Sequence, residues 1–263
     1  LPTQTLPPAT HTNCYVLGVS GGERIIVDPA AKSKEALDIL RNKVREIEST
    51  GSKIVATIFT HKHPDHIGDL ENISEIYQAP IWTSKETLEI IPKSESDKIL
   101  KEGDDFKLIG KGESISWSVI ETHGHCPGHI CLVGDAGIIS GDNVTVIGTI
   151  LVPSSDGDMN QYLEGLERIK NLNPPLLFPG HGPFSANPQR LLNRYITHRN
   201  ERHMLVYNAV KNNYKELESI AKKSYEDTPD AHPALLIDQT LSHLKGHIKS
   251  ENIREEDGRY YIN

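Results

Sequence analysis

The chain has 263 residues, 37% of them apolar and 24% charged, an ordinary composition for a globular protein that can bury a sizeable core. Its net charge of −8 gives no overall attraction to nucleic acid or to an anionic membrane, although it leaves room for a local basic groove. No apolar run approaches the roughly 18 residues needed to cross a bilayer, and no signal-peptide pattern is visible, so we expect no membrane partner.

Cysteine usage indicates a reducing compartment. Cys14, Cys126 and Cys131 are an odd number without framework spacing, which argues against a secreted fold held by disulfides and predicts a cytoplasmic location. The sequence begins at Leu1 rather than at methionine, so we expect further residues upstream.

Periodicity in the first third of the chain predicts the order β-β-α-β-α. β-Forming residues on either side of a Gly-Gly turn predict a hairpin, apolar residues at helical spacing predict a helix capped by Ser33, and a continuous apolar run predicts a buried strand. The predicted elements are strands 11–18 and 23–28, a helix over 33–48, a strand over 53–60 and a helix from about 67 to 78.

The middle of the chain is richer in strands. A Ser/Glu/Lys-rich stretch over 93–104 predicts an exposed loop, and Asp158 is predicted to cap a helix. The other predicted elements are a helix over 85–91, a helix ending near 170, and strands 81–82, 106–109, 115–120, 130–133, 137–140 and 176–178.

After Pro188 the pattern changes to helix, which predicts a catalytic domain over 1–190 and a small C-terminal domain over 191–263. The order of two helices and a hairpin at the end of the chain is winged-helix-like, and winged helices often enter a nucleic-acid groove. The candidate helix mixes basic and acidic residues, so a purely structural or dimerising role is at least as well supported, and a homodimer stays open.

The most informative stretch is Thr60–Asp69, which reads THKHPDHIGD directly after the apolar run. By the period of two in a strand, His61 and His63 lie on one side, and Asp65 and His66 follow in the connection. Neutral imidazole suits zinc and similar metals, and a carboxylate often joins it. Four such groups are too many for one ion that must also collect distant ligands, so the spacing predicts two neighbouring metals.

Three later segments place a histidine or an aspartate just beyond a predicted strand. His125 follows the strand at 115–120, Asp142 follows the strand at 137–140, and His181 follows the last short strand. A sheet gathers such positions from distant parts of the chain at one edge. Together with the histidine-rich stretch they predict a dinuclear site.

On these residues the chain resembles the metallo-β-lactamase superfamily, which implies an α/β fold with an αββα sandwich and a metal site along one edge. His61-Lys62-His63-Pro64-Asp65-His66 is similar to the H-x-H-x-D-H signature of that family. The resemblance implies that His61, His63 and His125 hold one zinc ion, that Asp65, His66 and His181 hold a second, and that Asp142 bridges them.

The chain departs from the family pattern at several positions. His123 stands in place of a proline, Cys126 in place of a small hydroxyl residue and Asp69 in place of a glycine. The register of the family favours His125 over His123 as the ligand, and Cys126 is more often a packing substitution than a ligand or a reactive thiol. His129 is expected to orient a ligand or to line the pocket.

Two adjacent metals imply hydrolysis. A metal-bridging water loses a proton near neutral pH and becomes a hydroxide nucleophile, and Asp65 is the residue expected to orient it or accept its proton. This chemistry cleaves carbonyl and phosphorus centres alike, and imidazole/carboxylate sites accept zinc, manganese or iron. The ligands therefore predict the reaction and leave both the substrate and the metal open.

Residues outside the metal site bear on the substrate. Tyr195–Asn200, which contains His198 and Arg199, resembles a helix of the lactamase-β-2-like branch, and this resemblance implies action on single-stranded RNA. There His198 or Arg199 would meet an anionic substrate, although a polar helix face explains them nearly as well. A thioester hydrolase of the glyoxalase II kind, acting on a small molecule, is the alternative. A non-hydrolytic diiron or metal-carrying protein is a remote third, because His63 is intact.

Overall fold

The structure is a computed structural model that describes residues 1–263, and it divides into two compact units. The sheet unit comprises Leu1–Thr122, Gly128–Ile150 and Asn173–Pro188. The helical unit comprises His123–Pro127, Leu151–Leu172 and Gln189–Asn263. The predicted division at residue 190 stays a prediction; the unit that holds the C-terminal helices also takes in residues 151–172.

The sheet unit contains ten strands and four helices. In chain order they are β1 (Tyr15–Gly18), β2 (Glu23–Val27), α1 (Lys34–Ser49), β3 (Lys53–Ile58), α2 (Pro64–Ile67), α3 (Leu70–Ser74), β4 (Ile81–Thr83), α4 (Lys85–Leu88), β5 (Lys98–Ile99), β6 (Asp105–Ile109), β7 (Ser114–Glu121), β8 (Ile130–Gly134), β9 (Gly137–Gly141) and β10 (Leu177–Pro179). The predicted hairpins, the long first helix and its Ser33 cap are confirmed.

The strands form two five-stranded sheets, in the orders β1-β2-β3-β4-β5 and β10-β9-β8-β7-β6. In the first sheet β2, β3, β4 and β5 run parallel, and in the second β10 runs parallel to β9. Parallel neighbours end at the same edge, so the segments that follow β2 and β3 emerge together, as do those that follow β9 and β10.

The core of this unit lies between the two sheets. Apolar side chains of the first sheet, such as Ile25 and Ile58, pack against those of the second, such as Val119 and Leu132. A second cluster joins the outer face of the first sheet to α1, whose buried residues recur at helical spacing: Ala36, Leu40, Val44 and Ile47. The alternating pattern of β6 and β7 is thereby explained, and the predicted sandwich of two sheets is confirmed.

Two elements differ from the prediction. The helix expected over about 67–78 is shortened to α3, and the separate turn α2 precedes it. The chain leaves helical geometry between them at Gly68, whose φ is 72° and where a Cβ would lie 2.7 Å from the backbone of Ala30. The loop predicted over 93–104 contains the short strand β5, which pairs with β4.

The helical unit contains α5 (Met159–Asn171), α6 (Pro188–Lys211), α7 (Leu217–Ser224), α8 (Pro233–Lys249), β11 (Ile253–Glu256) and β12 (Arg259–Ile262). The Asp158 side chain caps α5 as predicted. Apolar residues of α6, α7, α8 and the hairpin share one core, which includes Val206, Ile220, Leu244 and Tyr260. The winged-helix likeness of this order stays a prediction. None of the helices in the structure combines the length and apolar character that a membrane span requires.

Three histidines lie together between α6 and α8. The rings of His203 and His247 stack with their centroids 3.5 Å apart, and the Nδ1 atoms of His203 and His243 are 3.0 Å apart. Nε2–H of His247 donates to the carbonyl oxygen of His203 at 2.9 Å. Burial lowers the pKa of all three, that of His203 to about 4, and for His243 the charges of Arg199 and Arg202 lower it further. The cluster is therefore neutral at pH 7.

We predict that this cluster makes the protein acid-sensitive. Because the pKa of each histidine is lower in the folded chain than the ordinary 6.5, its stabilising contribution is present above about pH 6.5 and is lost as the pH falls below that value; for His203 the loss is complete near pH 4. The melting temperature, followed by circular dichroism, should fall by roughly 5 °C between pH 7 and pH 5 because of these groups.

The variant His203→Gln should lose less stability than the wild type over the same pH range. His232→Gln is the matched control, because His232 is exposed, and its pH dependence should equal that of the wild type. Equal losses for His203→Gln and wild type would show that the cluster does not set the acid sensitivity.

Candidate metal centre

Polar side chains gather where four strands of the sheet unit end. Asp28 follows β2, His61 and His63 follow β3, Asp142 follows β9 and His181 follows β10. All of these residues except His63 are less than one-tenth exposed. The parallel pairing of β2 with β3 and of β9 with β10 brings these side chains together from positions up to about 150 residues apart in the chain.

His61 and His63 point ring nitrogens at one another, although β3 ends at Ile58 and both residues lie in the connection after it rather than on the strand. Nε2 of His61 lies 3.1 Å from Nδ1 of His63, and the rings are nearly perpendicular, with an interplanar angle of 85°. Two imidazole nitrogens on one tetrahedral zinc ion, each bonded at about 2.0–2.1 Å, stand a little over 3 Å apart. The pair is therefore spaced as ligands of a single ion would be.

A second group surrounds Asp142. Its Oδ1 lies 3.4 Å from Nε2 of His66, and its Oδ2 lies 3.4 Å from Nε2 of His181. Oδ2 of Asp65 lies 3.5 Å from the same His181 nitrogen. The ligand atoms form two groups, and within each group they lie within 4.8 Å of one another. The first group is His61, His66 and Asp142, and the second is Asp65, His66 and His181. His66 and Asp142 thus join neighbouring donor groups.

One buried carboxylate, that of Asp28, fixes two of these histidines. Its Oδ2 accepts Nδ1–H of His66 at 2.8 Å and the hydroxyl of Thr60 at 2.7 Å, and its Oδ1 accepts the Thr60 backbone N–H at 2.8 Å. The Thr60 oxygen in turn accepts Nδ1–H of His61 at 3.0 Å. Both rings are held with Nε2 facing the site, the arrangement found around metal-bound histidines.

Backbone oxygens and small residues fix the rest of the site. Nδ1–H of His181 donates to the carbonyl of His11 at 2.8 Å, and the Thr12 hydroxyl donates to the Asp65 carbonyl at 2.8 Å. Gly180 leaves the space that the site needs, because a Cβ there would lie 2.4 Å from Oδ1 of Asp142 and 2.6 Å from Cε1 of His66.

The protonation states follow from this crowding of acids and bases. Burial lowers the pKa of His66, but the charges of Asp142 and Asp28 raise it more, so the pKa lies well above its usual value. Burial opposes the rise at His181 as well, yet its contacts with Asp142 and Asp65 bring its pKa to about 10. Burial raises the pKa of Asp65, and the bond from His181 lowers it to about 2 overall. Without metal, imidazolium protons neutralise the carboxylates.

The donor set fits metal ions. Nε2 of His66 is fully buried and has no hydrogen-bond partner, which is costly unless another group binds it. Imidazole nitrogens anchored at their far side, together with two carboxylates, are ligands that zinc, manganese and iron accept. Metal ions would replace the imidazolium protons as the charges opposite the carboxylates.

His125 belongs to the helical unit, where it is buried and its Nδ1–H donates to the carbonyl of Leu151 at 2.7 Å. This bond leaves Nε2 as its outward nitrogen, as in the other histidines. Its assignment as a metal ligand stays a prediction. Cys126 is fully buried beside it, and no disulfide joins the three cysteines of the chain.

His129 is buried and orients a neighbour. Its Nε2 accepts the backbone N–H of Asp142 at 3.1 Å, and its Nδ1 lies 2.9 Å from the Thr122 hydroxyl. It therefore holds the segment that carries Asp142, which the sequence offered as one of its two roles. Contact of His129 with substrate stays a prediction.

His198 and Arg199 lie on α6. His198 is half-buried, and burial together with the charges of Arg199 and Arg202 lowers its pKa. Arg199 is only 3% exposed, donates to Oε1 of Gln239 at 3.2 Å and lies over the ring of Tyr162. The structure therefore places Arg199 inside the helical unit, and contact of either residue with substrate stays a prediction.

Asp28 and Thr60 are the functional residues that sequence reasoning missed. Asp28 stands just beyond β2, the same position relative to a strand that identified Asp142 and His181. Its φ of 48° is a second mark of an unusual role, because few residues other than glycine adopt that conformation. The sequence analysis placed Asp28 inside the predicted strand 23–28, whereas the structure ends β2 at Val27, so the strand-end position of Asp28 emerges only from the structure.

Comparisons with known proteins agree with this geometry. Residues 7–181 match the sequence profile of the metallo-beta-lactamase superfamily. A "Beta-lactamase-like protein 2 homolog" from Caenorhabditis elegans is 29% identical over 228 residues, which are 83% of this chain and 72% of that protein. An "Atrochrysone carboxyl ACP thioesterase" from Aspergillus fumigatus is 25% identical over 80% of this chain and 62% of its own length.

A solved structure matches the whole chain. The crystal structure of a metallo-beta-lactamase family protein from Thermus thermophilus has a TM-score of 0.77 and covers 100% of this chain and 97% of that chain. At 17% identity this likeness shows the fold alone.

We predict that Asp28→Asn weakens metal binding. The amide has the shape of the carboxylate but accepts hydrogen bonds at only one of the two oxygen positions, so the hold on Thr60 and on the His66 ring weakens, and with Thr60 the support of His61. The loss should be on the order of 10- to 100-fold in zinc affinity, measured by competition with a chromogenic chelator. Asp38→Asn, an exposed carboxylate on α1, is the matched control. Unchanged affinity in Asp28→Asn would show that Asp28 does not orient the ligands.

Proposed function

Because this chain belongs to the metallo-β-lactamase superfamily and is a metal-dependent hydrolase, we propose that it works with two zinc ions and belongs to the lactamase-β-2-like branch. The observation that carries the proposal is a pair of neighbouring donor groups, His61 with His66 and Asp142, and Asp65 with His66 and His181, in which Asp142 also lies 3.4 Å from His181. A single ion would not need two such groups. The seven residues that we assign as ligands also follow one another along the chain in the order of the family's ligands: His61, His63, Asp65, His66, His125, Asp142 and His181.

We assign His61, His63 and His125 to one ion and Asp65, His66 and His181 to the other. The ligand atom of Asp142 lies within 4.8 Å of that of His61, assigned to the first ion, and of that of His66, assigned to the second, which is the placement a shared ligand needs. When bound, such ions supply a Lewis acid and a water of lowered pKa. His125 enters this assignment through the sequence motif.

The protein's own groups have separate tasks in hydrolysis. Asp65 is held at its backbone by Thr12, and its side chain is 17% exposed, so its carboxylate stays fixed yet reachable by solvent. We propose that the carboxylate of Asp65 accepts the proton of the attacking water. Asp28, Thr60 and His11 keep the imidazoles aimed at the site, so little reorganisation accompanies the reaction.

For the substrate, we propose single-stranded RNA, which the lactamase-β-2-like resemblance supports. Thioester hydrolysis is the second candidate, and the specific observation in its favour is the thioesterase name of the Aspergillus fumigatus relative. The net charge of −8 means that RNA would have to bind through local groups rather than through the overall field of the protein.

We predict that Asp65→Ala abolishes hydrolysis by the zinc-loaded protein. Loss of the proton acceptor and of a metal ligand should lower kcat by at least about 100-fold. Asp69→Asn is the matched control, because Asp69 lies four residues later and caps α3, a task that asparagine performs as well. Activity that survives in Asp65→Ala would contradict the proposed role.

We predict that the zinc-loaded protein cleaves a single-stranded RNA oligonucleotide more efficiently than it hydrolyses a thioester such as S-lactoylglutathione. Comparing kcat/KM for the two, with a chromogenic β-lactam as a third substrate, measures this directly. A clear preference for the thioester would replace RNA by the second candidate. Turnover of no substrate in the panel would refute both.

A further inference from the structure

A cavity of about 470 Å³ opens beside Asp65 in the sheet unit. Its walls come from three segments: the N-terminal residues, the turn that follows β2, and the start of α2. The lining residues are Pro2, Thr3, Gln4, Ala30, Lys32, Ser33, Pro64 and Asp65. Its volume lies within the range of small-molecule sites.

The cavity reaches the reacting groups through Asp65. The same carboxylate lines the cavity and lies 3.5 Å from Nε2 of His181. Thr5, which follows the N-terminal wall, places its hydroxyl 3.5 Å from that His181 nitrogen. A molecule that fills the cavity therefore extends up to the centre where hydrolysis is proposed.

Lys32 is the one cation among the lining residues, and Asp65 is the one acid. The Asp65 carboxylate is engaged by His181, whereas the ammonium of Lys32 is exposed, forms no hydrogen bond or ion pair within the chain, and interacts with Asp69 only through its charge at longer range. An exposed cation at the mouth of a cavity attracts and holds an anionic group of a bound molecule.

The neutral polar groups of the cavity are mostly occupied. The Thr3 hydroxyl pairs with that of Thr12 at 2.9 Å, and Ser33 caps α1 by accepting the N–H of Ala36 at 3.2 Å. The side chain of Gln4 forms no hydrogen bond in the chain and is exposed. The groups that remain for a ligand are thus the Lys32 ammonium and the Gln4 amide.

From this arrangement we propose that Lys32 determines substrate specificity by binding an oxyanion of the substrate, a phosphate or a carboxylate, next to the bond that is cleaved. The inference rests on the proposed function and deepens it. Lysine suits this task because its ammonium is a compact charge on a flexible side chain and can bind oxyanions of different shape. Arginine favours oxyanions that accept two parallel hydrogen bonds.

The test compares substrates that differ only in this anion. The RNA arm uses the uridine dinucleotide with and without a 5′-phosphate, and the small-molecule arm uses the succinyl and butanoyl thioesters of N-acetylcysteamine. Zinc-loaded wild type should prefer the charged member in one arm, and that arm identifies the source of the oxyanion. In Lys32→Ala the KM for the charged member should rise by about 10- to 100-fold, with a much smaller change in kcat.

Two further variants sharpen the result. Lys32→Arg should recover most of the preference, because the charge is kept. Lys34→Ala is the matched control, since Lys34 is an exposed lysine at the start of α1 that does not line the cavity, and its kinetics should equal those of the wild type. A preference for the charged member that persists in Lys32→Ala, or no preference in either arm, would overturn the proposal.

A binding measurement separates this proposal from the proposed function. In metal-free protein, inorganic phosphate or succinate should shift the Lys32 side-chain signal in NMR spectra of lysine-labelled protein, and the affinity should fall in Lys32→Ala. If no substrate is turned over but this binding is seen, the hydrolase proposal fails and the oxyanion site stands. If turnover occurs and neither anion affects Lys32, the oxyanion site is refuted alone.

Discussion

The metal centre depends on the buried carboxylate of Asp28. It accepts hydrogen bonds from the backbone and the hydroxyl of Thr60 and from the ring of His66, and through Thr60 it also fixes His61. A charge this deeply buried is costly unless every lone pair is used. Here three hydrogen-bond donors bind the carboxylate, and the positive charge of the neighbouring His66 imidazolium offsets a further part of the cost.

The two-sheet architecture makes this arrangement possible. The ends of β2 and β3 bring Asp28 and the histidine-rich stretch together, and the ends of β9 and β10 bring Asp142 and His181. The apolar core between the sheets fixes these ends, while Gly180 lets the second pair approach the first. Precision in the site therefore comes from strand packing rather than from the loops themselves.

Much of the site could be predicted because only a few residue types bind metals and because here they follow the ends of predicted strands. His61, His63, Asp65, His66, Asp142 and His181 were found in this way, and the structure brings them together in the sheet unit. Asp28 was missed because one aspartate after a strand carries no motif, and its role exists only in hydrogen bonds to residues over 30 positions away.

In the fold, too, features set by local sequence could be predicted, whereas features set by contacts between distant residues could not. The length of α1 follows from local periodicity and its N-cap from the residue type of Ser33, so both were predictable. The break at Gly68 depends on the approach of Ala30, and the grouping of α5 with the C-terminal helices depends on tertiary packing. Neither is encoded in a local pattern. Substrate choice is subject to the same limit, because it is decided by side chains such as Lys32 that no motif marks.

The central claim is that this chain holds two metal ions on one shared set of ligands. The most direct measurement is the number of zinc ions per chain in purified protein saturated with zinc, by mass spectrometry under native conditions. Two tightly held ions per chain are expected, with the second lost in His181→Ala. A count that stays at one ion per chain at saturating zinc would contradict the account.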